Sequence, residues 1–209
     1  MILNRIPLLE ETSGESIYLW GARQTGKSTL LRTLFPNAPY YDLLKSDEYN
    51  RLNMRSSLLR EECVLLDEGE PVIIDEVQKI PALLDEVHLL MSTRQLRFIL
   101  CGPRARKLKR CGANLLGGRG IRKALFPPVS REIPDFDLGR ALNNGMLPRH
   151  YLTKDARKRL EAYVGDYLQQ EMVAEAVVRR IDSFTRFRQV AALSDAEIVN
   201  YTRIAAIAA

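Results

Sequence analysis

One eight-residue segment near the beginning of this sequence constrains its fold more than any other feature. It reads Gly-Ala-Arg-Gln-Thr-Gly-Lys-Ser over residues 21–28 and fits the pattern G-x-x-x-x-G-K-[ST]. The apolar run 17–20 precedes it and predicts a buried strand, whereas residues 27–35 carry leucines at helical spacing and predict a helix. A glycine-rich turn that joins a strand to a helix is typical of a protein built on an α/β sheet.

The residue types in this segment indicate a binding site for a triphosphate. A loop of backbone N–H groups that leads into a helix N-terminus offers several donors to phosphate oxygens. Gly21 and Gly26 let the backbone turn and approach the phosphates without a Cβ in the way. Lys27 would place an ammonium between the β- and γ-phosphates, and Ser28 would offer a hydroxyl to magnesium. The other positions expected to contact the nucleotide are Ala22, Arg23, Gln24, Thr25 and Thr29.

A second motif, Val72-Ile73-Ile74-Asp75-Glu76, lies downstream. An apolar strand that ends in a carboxylate delivers that carboxylate to the carboxyl edge of the sheet, where open α/β folds bind their ligands. We expect Asp75 to hold Mg²⁺, directly or through a water, because magnesium prefers hard oxygen ligands. Glu76 is placed to polarise an attacking water as a general base. The two motifs together predict a protein that binds ATP and Mg²⁺.

The hydrophobic pattern predicts the organisation of the whole chain. Strands are expected at residues 17–20, 40–42, 72–74, 98–101 and 125–126. Helices are expected at residues 27–35, at 46–63 and after Pro81. This alternation predicts a parallel α/β sheet over residues 1–133, followed by a small helical domain. Together with the G-x-x-x-x-G-K-[ST] motif, it predicts the three-layer sandwich of a P-loop NTPase. Residues 134–193 carry only helical periodicity and are interpreted as a helical lid, and Ser194 and Glu197 form a capping box that predicts one more helix.

Charge is distributed unevenly along the 209 residues. The net charge is +5, and residues 87–131 contain no Asp or Glu but eleven Arg or Lys residues. The basic stretch 94–131 could attract DNA or the triphosphate itself, or it could be a solvated basic surface. No run of about eighteen apolar residues is present, so no membrane helix is expected. The three cysteines include no CxxC pair, which argues against a disulfide framework or a zinc site and favours a cytoplasmic protein.

The two motifs also resemble those of a known family. The segments Gly-Ala-Arg-Gln-Thr-Gly-Lys-Ser-Thr-Leu and Ile-Ile-Asp-Glu-Val-Gln-Lys-Ile-Pro are similar to those of a prokaryotic group of AAA-type ATPases within the AAA+ superfamily. The resemblance implies that residues 21–28 are Walker A and that Asp75 and Glu76 are the Walker B pair. It also implies an extra strand between the two motif strands. Arg119 is implied as an arginine that senses or stabilises the γ-phosphate, either within its own chain or in a neighbouring subunit of a homo-oligomer.

The sequence departs from the family pattern in two places. The family usually has a hydroxyl-rich stretch after the fourth strand, whereas this chain has Cys101-Gly102-Pro103-Arg104, without a hydroxyl. In addition, residues 194–209 resemble only the first helix of the winged-helix domain that usually follows, which suggests a truncated segment. The first departure bears on the rate of hydrolysis rather than on nucleotide binding.

Three functions follow from these patterns. The leading hypothesis is an ATPase in which Glu76 orients water against the γ-phosphate and the nucleotide acts as a switch. The alternatives are a nucleotide-gated DNA-binding module that hydrolyses little ATP and a small-molecule kinase. A GTPase is disfavoured because the sequence lacks an Asn-Lys-x-Asp motif.

Overall fold

The computed structural model describes residue 5 and residues 14–102, 119–167, 181–194 and 200–208. The chain divides into two compact units, Met1–Lys154 and Asp155–Ala209. The predicted division into a core of residues 1–133, a lid of residues 134–193 and a terminal segment of residues 194–209 stays a prediction.

The first unit is built on a parallel sheet. Its strands are β1 Ser16–Trp20, β2 Tyr40–Asp42, β3 Pro71–Asp75, β4 Arg97–Gly102 and β5 Gly120–Ala124. They lie in the order β2-β3-β4-β1-β5, and every neighbouring pair is parallel. Strand β4 therefore separates β1 from β3, which confirms the extra strand expected between the two motif strands. The carboxyl ends of all these strands meet at one edge of the sheet.

Helices connect and follow the strands. The first unit contains α1 Lys27–Leu34, α2 Ser46–Met54, α3 Leu58–Glu62, α4 Leu83–Thr93, α5 Leu138–Asn144 and α6 Pro148–Tyr151. Short 3-10 turns lie at Cys63–Leu65, Val77–Lys79 and Ser130–Glu132. The second unit contains α7 Ala156–Tyr167, α8 Ile181–Leu193 and α9 Tyr201–Ala208, of which α8 and α9 pack against each other. Beyond residue 134, the described part of the chain contains helices and turns but no strand, as expected.

Both faces of the sheet are buried, which explains why the central strands are continuously apolar. Because side chains alternate along a strand, Tyr18 of β1 faces one core and its neighbours Ile17 and Leu19 face the other. The first core includes buried residues of α2, α3 and α4, and the second includes Leu31 of α1. This arrangement of helices on both faces confirms the predicted three-layer α/β fold.

Two predicted elements differ from the structure. The fifth strand was expected at residues 125–126 but occupies Gly120–Ala124. It is an edge strand whose residues stay partly exposed, and Arg122 and Lys123 within it hide the apolar signal of a strand. Residues 46–63 were expected as one helix but form α2 and α3, interrupted at Arg55. Ser56 and Ser57 follow the break, and serines compete with helix interiors through local hydrogen bonds.

The predicted capping box depends on Glu197, which lies outside the described residues together with the rest of 195–199. Among the described helices, none combines the length and the apolar character that a membrane crossing requires.

Candidate functional site

The loop between β1 and α1 adopts a conformation that depends on its glycines. Gly26 precedes the first residue of α1 with φ of 93°, in the left-handed region that favours glycine. Gly21 lies against the backbone that follows β5, where a Cβ at residue 21 would come within 2.3 Å of the Leu125 carbonyl oxygen. Thus Gly26 is required by backbone conformation and Gly21 by a close approach.

The ammonium of Lys27 lies inside this loop. The side chain is buried, and Nζ donates hydrogen bonds to the carbonyl oxygens of Gly21 at 2.8 Å and Ala22 at 2.9 Å. Thr25 Oγ1 also donates to the Ala22 carbonyl oxygen, at 2.9 Å. The loop therefore concentrates positive charge next to the N-terminus of α1, whose backbone N–H groups attract anions.

Ser28 and Asp75 meet at the carboxyl edge of the sheet although 47 positions separate them in sequence. Asp75 is the last residue of β3 and is buried. Its Oδ2 accepts a hydrogen bond from Ser28 Oγ at 2.5 Å and another from the Tyr40 hydroxyl at 2.7 Å. A hydroxyl and a carboxylate this close fit Mg²⁺, which takes few protein oxygens and completes its shell with phosphate and water.

Within residue 5 and the ranges 14–102, 119–167, 181–194 and 200–208, His, Cys, Asp and Glu side chains form no group of three or more that could hold a metal ion. A magnesium site that relies on one or two protein oxygens and a nucleotide does not require such a group.

Glu76 has an unusual backbone and an unusual environment. Its φ of 60° and ψ of 39° lie in the left-handed region, which a residue with a Cβ adopts only at a cost and often at functional sites. Burial raises the pKa of the Glu76 carboxyl above its usual value, and the charge of Asp75 raises it further. A hydrogen bond from Gln78 and the positive charges of Lys27 and Arg23 act in the opposite direction. A carboxylate with a raised pKa is suited to accept a proton near neutral pH.

Two polar residues of this edge were not found by sequence reasoning. Tyr40 opens β2 and donates to Asp75, and burial, followed by that hydrogen bond, raises the pKa of its hydroxyl. The Arg32 guanidinium covers the Tyr40 ring at 4.0 Å from its centroid. Gln78 donates from Nε2 to the Glu76 carboxylate. Tyr40 could be placed only once β2 and β3 were known to be neighbours, whereas Gln78 stood in the Val-Gln-Lys segment after Walker B without an assigned role.

Arg119 is not brought to the same edge. It immediately precedes β5, and Gly120 of β5 pairs with Ser16 at the amino end of β1. The loop of residues 21–26 leaves the opposite end of β1, so the register separates the Arg119 backbone from it by about 20 Å, the length of six strand residues. The role of Arg119 towards the γ-phosphate, within its own chain or from a neighbouring subunit, stays a prediction.

The end of β4 lacks a hydroxyl, as the sequence indicated, and the structure places its residues in the interior. Cys101 is buried beside Asp75, and burial raises the pKa of its thiol well above the usual value. Gly102 lies next to Trp20 of β1. A Cβ on Gly102 would come within 2.4 Å of Gln78 Oε1, so the amide of Gln78 occupies the space above this glycine. Pro103 and Arg104 lie outside the described residues.

The basic stretch 94–131 is only partly described, because residues 103–118 lie outside the described ranges. Two of its arginines have structural contacts: Arg94 donates to the carbonyl oxygens of Val64 and Leu66, and Arg97 donates to that of Glu15. Arg94 and Arg97 therefore stabilise backbone segments of the fold through their side chains. DNA binding by this stretch stays a prediction.

Comparison with known proteins agrees with the geometry. A family model described as an AAA domain matches residues 13–133, which include the loop, Asp75 and Glu76. The chain belongs to this AAA family. Membership supports a nucleotide-binding, ATPase-like function for this AAA protein, to which ATP and Mg²⁺ are the expected ligands.

Solved structures provide a match in fold. The Walker-type ATPase PABY2304 of Pyrococcus abyssi superposes on this AAA protein with a TM-score of 0.52 and 15% sequence identity. The match covers 94% of this chain and 83% of the other chain. At that identity the likeness supports the α/β fold alone. No curated protein matches the sequence.

Proposed function

We propose that this AAA protein binds Mg-ATP at the edge formed by the loop 21–28 and Asp75 and hydrolyses it, so that the bound nucleotide acts as a switch. The observation that carries the proposal is the Ser28–Asp75 hydrogen bond of 2.5 Å, beside the buried ammonium of Lys27. It joins the two motifs at one point, as a shared magnesium ion requires.

The residues of the loop would bind the phosphates. Backbone N–H groups from Ala22 to Thr29 would donate to phosphate oxygens, and Lys27 would exchange its two carbonyl partners for oxygens of the β- and γ-phosphates. Ser28 and Asp75 would hold Mg²⁺, which supplies a positive charge that offsets negative charge on the phosphates.

Glu76 would act on the water. It accepts a proton as the water oxygen bonds to the γ-phosphorus and the bond from that phosphorus to the bridging oxygen of ADP breaks. The products are ADP and phosphate. The raised pKa of Glu76 supports this role, because a base whose pKa lies closer to neutral accepts a proton more readily.

The proposal is tested by two substitutions. Glu76→Gln should leave ATP affinity nearly unchanged and reduce kcat by roughly 10²–10⁴-fold, because an amide cannot accept the water proton. Lys27→Ala should weaken ATP binding itself, since it removes the ammonium from the phosphate loop. Phosphate release and fluorescent ATP titration measure the two effects.

Matched controls are available on the surface. Glu61→Gln and Lys158→Ala alter the same residue types at exposed ion pairs, and both should hydrolyse ATP at the parental rate. Hydrolysis by Glu76→Gln at the parental rate would remove Glu76 from the mechanism. Phosphate transfer that occurs only when a small-molecule acceptor is added would identify a kinase instead.

A further inference from the structure

The Gln78 side chain lies between the Glu76 carboxylate and Gly102 of β4, the central strand of the sheet. The left-handed backbone of Glu76 begins the 3-10 turn Val77–Lys79, which folds the chain back on itself. As a result, Gln78 Nε2 donates to Oε2 of Glu76, only two residues earlier. A carboxylate oxygen only accepts, so the donor must be the amide nitrogen, and this defines which end of the amide faces Glu76.

The other end of the amide lies in an enclosed space. Gln78 Oε1 is buried, and in the part of the chain that the structure describes no donor reaches it. It lies where a Cβ of residue 102 would be, at 2.4 Å from that ideal position, so the space exists only because residue 102 is glycine. A buried acceptor without a protein partner is unfavourable, and such groups occur at catalytic sites.

This space lies in the middle of the functional edge. Strand β4 separates β1 from β3, and its register places Gly102 beside Trp20 and Cys101 beside Asp75. The Gln78 amide therefore lies over the end of β4, the strand that separates the two motif strands. It shares the space over Gly102 with the Tyr18 hydroxyl, which lies 3.3 Å from the ideal Cβ position of residue 102.

We propose that Gln78 is a positioning residue that, from its place over Gly102, holds the Glu76 carboxylate in the orientation that water activation requires. Its N–H engages one carboxylate oxygen and leaves the other to accept the proton of the water. The inference rests on the ATP hydrolysis proposed above and deepens it, because it assigns the orientation of the Glu76 carboxylate to an amide on the turn after β3.

The first test is Gln78→Met in the full chain, which keeps the length of the side chain and removes both polar atoms. We expect kcat for ATP to fall by roughly tenfold or more, because an unoriented base transfers protons less effectively. The dissociation constant for fluorescent ATP should change by less than about twofold, since Gln78 does not bind phosphate. Gln189→Met, on the exposed face of α8, is the matched control and should retain the parental kcat.

The second test is Gly102→Ala, which displaces the Gln78 amide but leaves its chemical groups unchanged. The added methyl group would displace Gln78 Oε1, so kcat should fall while ATP affinity stays the same. Combined with Gln78→Met it should cause little further loss, because both changes act through the same contact.

The outcomes separate this inference from the proposed function. If the parent hydrolyses ATP and Gln78→Met matches its kcat, the Gln78 inference fails alone. It also fails if Gln78→Met weakens ATP binding and thermal stability together with kcat. A third contrary outcome is that the fold-losses in kcat of Gln78→Met and Gly102→Ala multiply in the double variant, as independent effects would. If the parent chain releases no phosphate from ATP, the proposed function fails and the inference fails with it.

Discussion

Hydrogen bonds at the sheet edge converge on a single oxygen atom. Asp75 Oδ2 accepts from Ser28 and from Tyr40, which come from two other elements of the fold. Sequence motifs predicted Ser28 and Asp75, because each lies in a short pattern whose chemistry is legible locally. Tyr40 carries no such pattern, and its contact depends on β2 pairing with β3. Side chains that reach the site through the order of the strands, rather than through a motif, could therefore not be predicted from the sequence.

Tyr40→Phe tests the weight of this contact. The hydroxyl donates at 2.7 Å to a buried carboxylate, so its loss should lower the free energy of unfolding by about 1.5–3 kcal/mol, as for hydrogen bonds to charged groups. Urea unfolding of the nucleotide-free protein measures the change. Tyr49→Phe, which keeps the ring that lies 4.9 Å from Lys79 Nζ, should change stability by less than about 0.5 kcal/mol. Equal stability of the two variants would show that the Tyr40 hydroxyl contributes nothing to holding Asp75.

At the scale of elements, the loop between β1 and α1 depends on its neighbours as much as on its own residues. The segment that follows β5 approaches it closely: Leu125 N donates to the Trp20 carbonyl oxygen, and the Leu125 carbonyl oxygen faces Gly21. The central strands were predicted because their apolar runs are continuous, whereas β5 was misplaced because an edge strand tolerates Arg122 and Lys123. The sequence thus predicted the loop but not the element that packs against it.

Gly21→Ala should disrupt this packing. The new Cβ would come within 2.3 Å of a backbone oxygen, which cannot move as a side chain can, so the loop must shift. We expect the free energy of unfolding to fall by about 1–3 kcal/mol, as in overpacked sites, and ATP affinity to fall with it. Gly165→Ala on α7 is the matched control, because nothing lies within 4 Å of its added Cβ. That control should be neutral or stabilising by up to about 1 kcal/mol, since alanine favours helices. A loss of stability from Gly165→Ala that exceeds the loss from Gly21→Ala would contradict this prediction.

At the scale of the whole molecule, the sheet and both of its hydrophobic cores are contained in the first compact unit. Every residue of the two buried clusters lies between Ile17 and Leu125, and the unit ends at Lys154. The change from mixed to purely helical periodicity near residue 134 was legible from the sequence. The boundary between compact units was not, because α5 and α6 belong to the first unit although their sequences look like those of the helices that follow.

A chain that ends at Lys154 should therefore fold and bind ATP. We expect one cooperative unfolding transition, as for a domain with its own core, and an ATP dissociation constant within about threefold of the parent value. Circular dichroism during thermal unfolding and fluorescent ATP titration test both expectations. A fragment that unfolds without cooperativity would show that residues 155–209 are needed for the sheet to fold.

Because β4 lies between β1 and β3, the two motif strands can take their places in the sheet only after β4 has been synthesised. Both motifs have been synthesised by residue 76, yet the strands that carry them become fixed relative to each other only when residues 97–102 insert between them. A nascent chain that stops before β4 would contain Lys27, Ser28 and Asp75 but would lack the strand that fixes β1 relative to β3. Nucleotide binding by a nascent chain would therefore indicate that β4 has already inserted between β1 and β3.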